Sequence, residues 1–199
     1  MSILLLVEID QDVIDHYIPD PCQCEGCEAI YEYGQKAISD KDTLPNYDRT
    51  KSRLKLTGII YRDYGFTPAE NVLMYIYHAN ETGIYEKLAT ETGWGRRHGH
   101  IRGWIRTNHD GRYTFYTSLP GHYSNRSEPA HIHVVIKEPG FTEYYIDDFL
   151  FEGDPELSIE VRSKLENRGG SGINEPRVID GLLTIERDII LGLNIPCRG

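Results

Sequence analysis

Short segments with the pattern of β-strands follow one another through the centre of the chain, and they most restrict the folds that this sequence can adopt. Residues 54–61 and 71–78 are rich in β-branched and aromatic residues, and the turn between them contains Asp63, Gly65 and Pro68. Because many short strands are typical of sandwiches, we predict an all-β fold with a β-sandwich core of mainly antiparallel strands. Further strand-like segments are 102–106, 113–117, 130–136 and 144–151.

The amino-acid composition agrees with an all-β protein. The 199 residues include 19 Gly, 10 Pro and 14 Tyr but only 2 Met, which is expected of many strands and turns rather than of a helical bundle. Acidic residues outnumber basic residues by 31 to 21, so the formal charge is −10. This charge argues against nucleic acid or an anionic membrane as the main partner.

We predict a single domain over residues 1–199, because no repeat or low-complexity linker divides the chain. Residues 1–50 are predicted to form an N-terminal arm with a short helix at 27–38. Residues 54–155 are predicted to form the core. Residues 156–199 are predicted to form a mobile, glycine-rich excursion and then a C-terminal hairpin at 181–191.

The beginning of the chain does not have the pattern of a secretory segment. Residues 1–7 are apolar, but Glu8 and Asp10 follow directly and no basic residue precedes them. No run approaches the roughly 20 apolar residues of a spanning helix. We therefore expect a cytoplasmic protein as the sequence stands, and a secreted or periplasmic one if a targeting segment has been removed.

The four cysteines lie near the two ends of the sequence, at positions 22, 24, 27 and 197. Three alternatives remain open. The cluster Cys22, Cys24 and Cys27 is one candidate for a zinc site, although the usual fourth ligand is not nearby. Alternatively one of these residues forms a disulfide with Cys197, which would imply an oxidising compartment. The third alternative is that all four are free thiols.

His131 and His133 are the strongest local indication of a functional site. Residues two apart in a strand point to the same face, so the two imidazoles are expected to converge, as metal ligands do. Ile132, Val134 and Ile136 supply an apolar opposite face. The alternative is that both histidines lie on a solvated strand face.

Two tyrosines lie in loops that are rich in turn residues, Tyr85 after Asn80 and Gly83, and Tyr123 after Gly121. A single tyrosine is usually a packing residue. Two phenolates together with two imidazoles would, however, suit a hard and highly charged cation such as Fe(III).

Residues 54–155 resemble the intradiol ring-cleaving dioxygenases, the catechol and protocatechuate dioxygenases that contain non-haem ferric iron. The resemblance rests on several short motifs that occur in the order of the family and together form a specific match. The matching stretches are residues 80–85, 101–107, 110–115, 120–123, 129–133 and 151–155.

This resemblance implies a function in the catabolism of aromatic compounds. It implies that Tyr85, Tyr123, His131 and His133 bind Fe(III), and that Tyr123 leaves the metal and accepts a proton from the substrate. The substrates would be a small aromatic diol and O2. The ring would be cleaved between the two hydroxyl-bearing carbons to give a muconate-type diacid. A homodimer is also implied. The alternative is a catalytically silent β-sandwich module that binds a ligand or partner.

Two positions depart from the pattern of the family. Glu128 stands where an arginine normally precedes the histidine motif, and Asp148 stands where glutamine is usual. If both carboxylates face the substrate, they repel a dianionic catecholate. Three explanations remain open: Arg126 supplies the missing cation as a catalytic residue, Glu128 and Asp148 bind a cationic substituent of the substrate, or iron binds with poor turnover.

A second pair, His98 and His100, is a competing candidate for the metal site. The neighbouring arginines disfavour a metal cation there by Coulomb repulsion. Arg96, Arg97 and Arg102 are instead candidate partners for Glu128 or Asp148. Trp94 and Trp104 are expected to pack in the protein or to border a ring-shaped substrate.

Overall fold

The computed structural model describes residues 24–123 and 128–196. These residues contain two short α-helices, α1 (Gly95–His98) and α2 (Ile159–Ser163), and none of their helices is both long and apolar enough to cross a membrane. The strands are β1 (Lys41–Thr43), β2 (Arg53–Arg62), β3 (Thr67–Pro68), β4 (Leu73–Tyr77), β5 (Arg102–Arg106), β6 (Arg112–Ser118), β7 (His131–Lys137), β8 (Tyr144–Tyr145), β9 (Phe149–Phe151), β10 (Ile173–Asn174), β11 (Arg177–Ile179), β12 (Leu182–Glu186) and β13 (Ile189–Ile190).

The strands form two sheets that enclose the main core. The first sheet has the order β1-β6-β2-β12-β11, with β3 and β13 also paired to β2, and the second has the order β10-β9-β7-β4-β5, with β8 paired to β7. Inward side chains of both sheets form one buried cluster, since alternate residues of each strand point to the same face. The predicted all-β sandwich is confirmed. Representative members of the cluster are Leu56, Phe115, Met74, Ile105 and Val134.

The N-terminal arm covers the outer face of the second sheet. Ala29 and Ile30 are fully buried there against Tyr75 and Trp104, and Trp104 Nε1 donates a hydrogen bond to the carbonyl of Ala29 over 3.1 Å. The predicted helix at 27–38 is shorter than expected, because only Cys27–Tyr31 forms a 3-10 helix. Residues 34–37 are exposed, so no tertiary packing stabilises further helical turns there.

Cys24 and Cys27 are joined as a disulfide. Neither residue is therefore a free thiol or a zinc ligand in this structure. Cys22 and Cys197 lie outside the described residues, so a disulfide between the two ends of the chain stays an open alternative for that pair.

The C-terminal segment differs from the predicted hairpin at 181–191. The two predicted strands are present as β12 and β13, but both run parallel to β2 instead of pairing with each other. Gly58 of β2 allows this course, because a side chain at Gly58 would collide with the carbonyl oxygen of Arg187, which lies between β12 and β13. A hairpin does occur nearby, between β11 and β12.

The predicted excursion after residue 155 has defined contacts. The Ser158 hydroxyl accepts a hydrogen bond from the amide of Val161 and caps α2. The amides of Asn167 and Arg168 donate to the carboxylate of Asp147 over 2.9 and 3.1 Å. These bonds fix the segment against the loop before β9.

Acid is expected to destabilise the metal-free protein through His78. This residue is 1% exposed, its Nε2 lies 2.7 Å from the Thr117 hydroxyl, and burial lowers its pKa to about 4. The unfolded chain therefore binds a proton below about pH 6.5, whereas the folded chain binds it only near pH 4. Stability should fall by about 3 kcal/mol as the pH drops through this interval.

Urea unfolding of the wild type and of His78→Asn at pH 7 and pH 4.5 tests this expectation. The variant lacks the titrating imidazole, so its stability deficit relative to the wild type should shrink as the pH falls. A deficit that is equal at both pH values would contradict the assignment to His78.

Candidate metal centre

Strand β7 places His131 and His133 on the outer face of the second sheet. Ile132 and Val134 point to the opposite side and are fully buried in the core, as the alternation in the sequence predicts. The two histidines converge, with a distance of 3.2 Å between their Nε2 atoms.

Two loops bring the tyrosines to the histidines. In the first loop, the side-chain oxygen of Asn80 accepts hydrogen bonds from the amides of Thr82 and Ile84, both over 3.0 Å. The second loop packs against the first so closely that a side chain at Gly83 would collide with the carbonyl oxygen of His122. The two loops therefore form one unit that carries Tyr85 and Tyr123.

The four donor atoms of these residues form a closed ring. The Tyr85 and Tyr123 hydroxyls lie 2.5 Å apart, and the Tyr123 hydroxyl lies 3.1 Å from His131 Nε2. His133 Nε2 lies 2.9 Å from the Tyr85 hydroxyl, which closes the ring. Two ligands at right angles on an ion with bonds of about 2.1 Å would lie about 3 Å apart. The spacing of the four atoms thus fits ligands of one metal ion.

The other ring nitrogen of each histidine has its own partner. His131 Nδ1 lies 2.8 Å from the carbonyl oxygen of Pro129, and His133 Nδ1 lies 3.1 Å from a carboxylate oxygen of Asp148. Because each Nδ1 is the donor in these contacts, each Nε2 carries a lone pair that faces the ring of four atoms.

The protonation states of the site follow from burial and from mutual contact. Burial, followed by the electrostatic interaction with His133, lowers the pKa of His131. Burial and the hydrogen bond with Tyr123 raise the pKa of Tyr85 well above its usual value. A lowered pKa keeps the His131 imidazole neutral and ready to bind a metal, but the Tyr85 phenol ionises only if a highly charged cation displaces its proton. The donor set consequently fits a hard trivalent ion.

Asp148 lies behind His133 rather than in the ring. His131, His133 and Asp148 are close enough to be considered a three-residue metal site, with ligand atoms within 4.8 Å of one another. The carboxylate, however, contacts Nδ1 of His133, on the far side of the imidazole from Nε2. Burial raises the pKa of Asp148, but the electrostatic interaction and hydrogen bond with His133 outweigh burial and leave this pKa below its usual value. The ionised carboxylate orients the imidazole.

The four candidate ligands line a cavity of about 300 Å³ together with Glu128, Trp94, Tyr77 and Arg97. A neighbouring cavity of about 510 Å³ shares Glu128, His131 and His133 and also contains Asp148. Glu128 therefore lies beside the candidate ligands, at the junction of the two cavities. Arg126 lies outside the described residues, so its predicted role stays a prediction.

Asp154 supports the site in a way that sequence reasoning missed. Its carboxylate oxygens both lie 2.9 Å from His122 Nε2, next to Tyr123. It also accepts a hydrogen bond from the amide of Ala130 over 3.0 Å, next to His131. The only signal in the sequence was its place in the motif at 151–155. Asp154 therefore ties the tyrosine loop to the beginning of β7.

The competing pair, His98 and His100, does not form a metal site. His98 Nδ1 lies 2.9 Å from the Tyr75 hydroxyl, whereas His100 Nε2 lies 2.8 Å from the side-chain nitrogen of Asn46. The two imidazoles thus point to different partners. The structure therefore agrees with the expectation, drawn from the neighbouring arginines, that this pair is not the metal site.

The neighbouring arginines have other partners. Arg102 forms ion pairs with Glu32 and Glu91, over 2.6 and 3.2 Å. Arg97 pairs with Glu25, and the Arg96 Nε donates to the carbonyl of Glu91 over 3.3 Å. Trp104 packs against Ala29, Ile30 and Tyr75 beneath the N-terminal arm, and Trp94 borders the smaller cavity.

Comparison with known proteins places these features in a family. A family model described as Dioxygenase matches residues 30–168. The beta chain of protocatechuate 3,4-dioxygenase from Burkholderia cepacia is 28% identical over a 134-residue alignment, and the match covers 60% of this chain and 53% of that protein. The chain thus spans about half the length of this curated relative.

Solved structures share the fold. The dioxygenase domain of a dioxygenase carbohydrate-binding protein fusion from a cellulolytic Streptomyces species has a TM-score of 0.60 and 23% identity, over 85% of this chain and 95% of that chain. Hydroxyquinol 1,2-dioxygenase from Pseudomonas putida has a TM-score of 0.57 and 15% identity, over 78% of this chain and 62% of that chain.

Proposed function

Because the chain belongs to the intradiol ring-cleaving dioxygenase family, we propose that it is an Fe(III)-dependent enzyme that cleaves a catechol-type ring with O2 between the two hydroxylated carbons. The product is a muconate-type diacid, which retains both atoms of one O2. The observation that carries this proposal is the closed ring of four donor atoms on the wall of one cavity.

Tyr85, Tyr123, His131 and His133 are the proposed ligands of the iron. Ferric iron would supply Lewis-acid activation of the bound aromatic diol. Anionic oxygen ligands suit this ion, and neutral imidazoles complete the set. The volume of about 300 Å³ lies at the lower end of the range of ligand cavities, which favours a small aromatic substrate.

Tyr123 is the proposed acceptor of a substrate proton, which would convert its phenolate into the neutral phenol. Its hydroxyl lies between the Tyr85 hydroxyl and His131 Nε2, at 2.5 and 3.1 Å, so the position of Oη is fixed from two sides. A proton acceptor must come within about 3 Å of the group that it deprotonates. A diol that enters the cavity beside these residues would meet this condition at Tyr123 Oη.

Oxygen consumption tests the proposed activity. Iron-loaded protein mixed with catechol should consume one O2 per ring and produce the muconate-type diacid, and omission of either iron or catechol should stop the uptake. Iron binding without uptake for catechol, protocatechuate or an amine-bearing catechol would contradict the activity and favour a silent binding module.

Replacement of Asp148 by asparagine distinguishes an orienting role from substrate binding. An orienting role predicts that iron affinity falls about 10-fold to 100-fold, with little change in KM for catechol. Asp147→Asn is the matched control, because its carboxylate accepts from the amides of Asn167 and Arg168 instead of contacting a histidine. Unchanged iron affinity in Asp148→Asn, together with a raised KM, would assign Asp148 to the substrate.

Glu128 is proposed to select substrates by the charge of the ring substituent. It lines both cavities at the candidate ligands, so its carboxylate should disfavour an anionic substituent and favour an amine. An amine-bearing catechol should therefore be turned over better than protocatechuate. The ratio of kcat/KM for the amine-bearing catechol to kcat/KM for protocatechuate should be about tenfold lower in Glu128→Gln than in the wild type. A clear preference of the wild type for protocatechuate would contradict this role.

A further inference from the structure

Tyr77 lies directly beside one of the proposed ligands but is not a ligand itself. It is paired with His133 across the antiparallel strands β4 and β7. The two rings are stacked, with centroids 4.5 Å apart and an angle of 27° between their planes. Tyr77 is 7% exposed, so packing restricts its ring.

A second histidine stacks on Tyr77. The ring centroids of His98 and Tyr77 lie 3.8 Å apart, and the angle between the two planes is 6°. The centroids of both imidazoles lie within 4.5 Å of the Tyr77 centroid, and both planes are within 27° of the Tyr77 plane. Two rings in this arrangement would collide if they lay on the same face of Tyr77. His98 and His133 must therefore lie on opposite faces of Tyr77.

His98 is itself fixed in place. Its Nδ1 lies 2.9 Å from the Tyr75 hydroxyl, and the ring of Trp94 stacks on it with centroids 5.3 Å apart. Consecutive ring contacts thus link Trp94 to His98, His98 to Tyr77, and Tyr77 to His133. This arrangement explains why His98 is buried although it is not a metal ligand.

We propose that Tyr77 is a positioning residue that fixes the plane of the His133 ring through this stack. The hydrogen bond to Asp148 holds His133 within the plane of its ring, whereas the stack restrains rotation out of that plane. Together the two contacts direct His133 Nε2 towards the centre of the ring of four donor atoms. The Tyr77 hydroxyl contributes little, because its contact with the Tyr145 hydroxyl is 3.5 Å long. The inference rests on the proposed iron site.

Tyr77→Leu and Tyr77→Phe form the test pair, measured by competition for Fe(III) between the protein and a chelator. Tyr77→Leu removes the stack and should weaken iron binding about tenfold, in the range seen for groups that orient a ligand. Tyr77→Phe retains the ring and should match the wild type. His98→Asn, which removes the outer ring, should weaken iron binding less than Tyr77→Leu.

Phe115→Leu serves as the control for lost packing. Phe115 is fully buried in the main core, so this variant should lower the melting temperature of the metal-free protein without lowering iron affinity.

Wild-type affinity in Tyr77→Leu, or equal losses in Tyr77→Leu and Tyr77→Phe, would overturn the inference while leaving the proposed function intact. Iron binding that responds as expected, in a protein that does not cleave catechols, would support the inference and overturn the function. A wild-type protein that binds no iron would overturn both.

Discussion

His133→Ala and Tyr85→Phe are each expected to lower the affinity for Fe(III) by about 100-fold or more. Each change removes one atom from the ring of four donors, in which His133 Nε2 and the Tyr85 hydroxyl lie 2.9 Å apart. Loss of a group that only orients a ligand already costs about 10-fold to 100-fold in metal affinity, and loss of the ligand itself should cost at least as much. Tyr85→Phe also removes an anionic oxygen donor, which a hard cation requires.

Iron content after dialysis against a chelator measures this effect. His109→Ala is the matched control for the histidine, because the His109 side chain is 79% exposed and lies outside the ring. The melting temperature of each metal-free variant shows whether the fold is retained. Wild-type iron content in both ligand variants would contradict the assignment of the metal site.

Asp154→Ala is expected to destabilise the protein by about 3 kcal/mol and to weaken iron binding as well. The carboxylate is only 5% exposed and lies 2.9 Å from His122 Nε2. It also accepts hydrogen bonds from the amides of Ala130 and Glu156, over 3.0 and 2.8 Å. Removal of the carboxylate leaves the part-buried amides of Ala130 and Glu156 without this acceptor, and an unsatisfied buried donor costs about 1–3 kcal/mol.

Urea unfolding of the metal-free protein measures the loss of stability. Asp110→Ala is the control, because its side chain is 57% exposed and its loss should change the free energy of unfolding by less than about 0.5 kcal/mol. The two segments that Asp154 joins carry Tyr123 and His131, so the variant should also retain less iron. A stability and an iron affinity equal to those of the wild type would contradict the role of Asp154.

Local patterns in the sequence predict much of the site. The alternation in β7 correctly predicts that His131 and His133 share a face, because that periodicity follows from strand geometry alone. The turn residues before Tyr85 and Tyr123 correctly predict loops. That these loops meet the histidines depends on contacts between distant parts of the chain, and only the resemblance to a family anticipated it.

Local sequence patterns do not predict the contacts that depend on tertiary packing. The stack of His98 and Tyr77 on His133 joins three separate segments, and the arginines around His98 indicated only that it is not a metal ligand. The alternation in residues 181–191 predicts two strands but not their partner. Their course along β2 requires the carbonyl oxygen of Arg187 to lie close to Gly58. The contact of Asp148 with His133 likewise joins β7 to the loop before β9.

Iron content and the visible absorption spectrum, recorded before and after anaerobic addition of catechol, test the central claim most directly. A phenolate ligand on ferric iron gives a charge-transfer band, and the binding of a catechol at the same ion changes that band. The account predicts about one iron per chain, a coloured protein and a shift of the band on addition of catechol. A colourless protein that stays free of iron after reconstitution would contradict it.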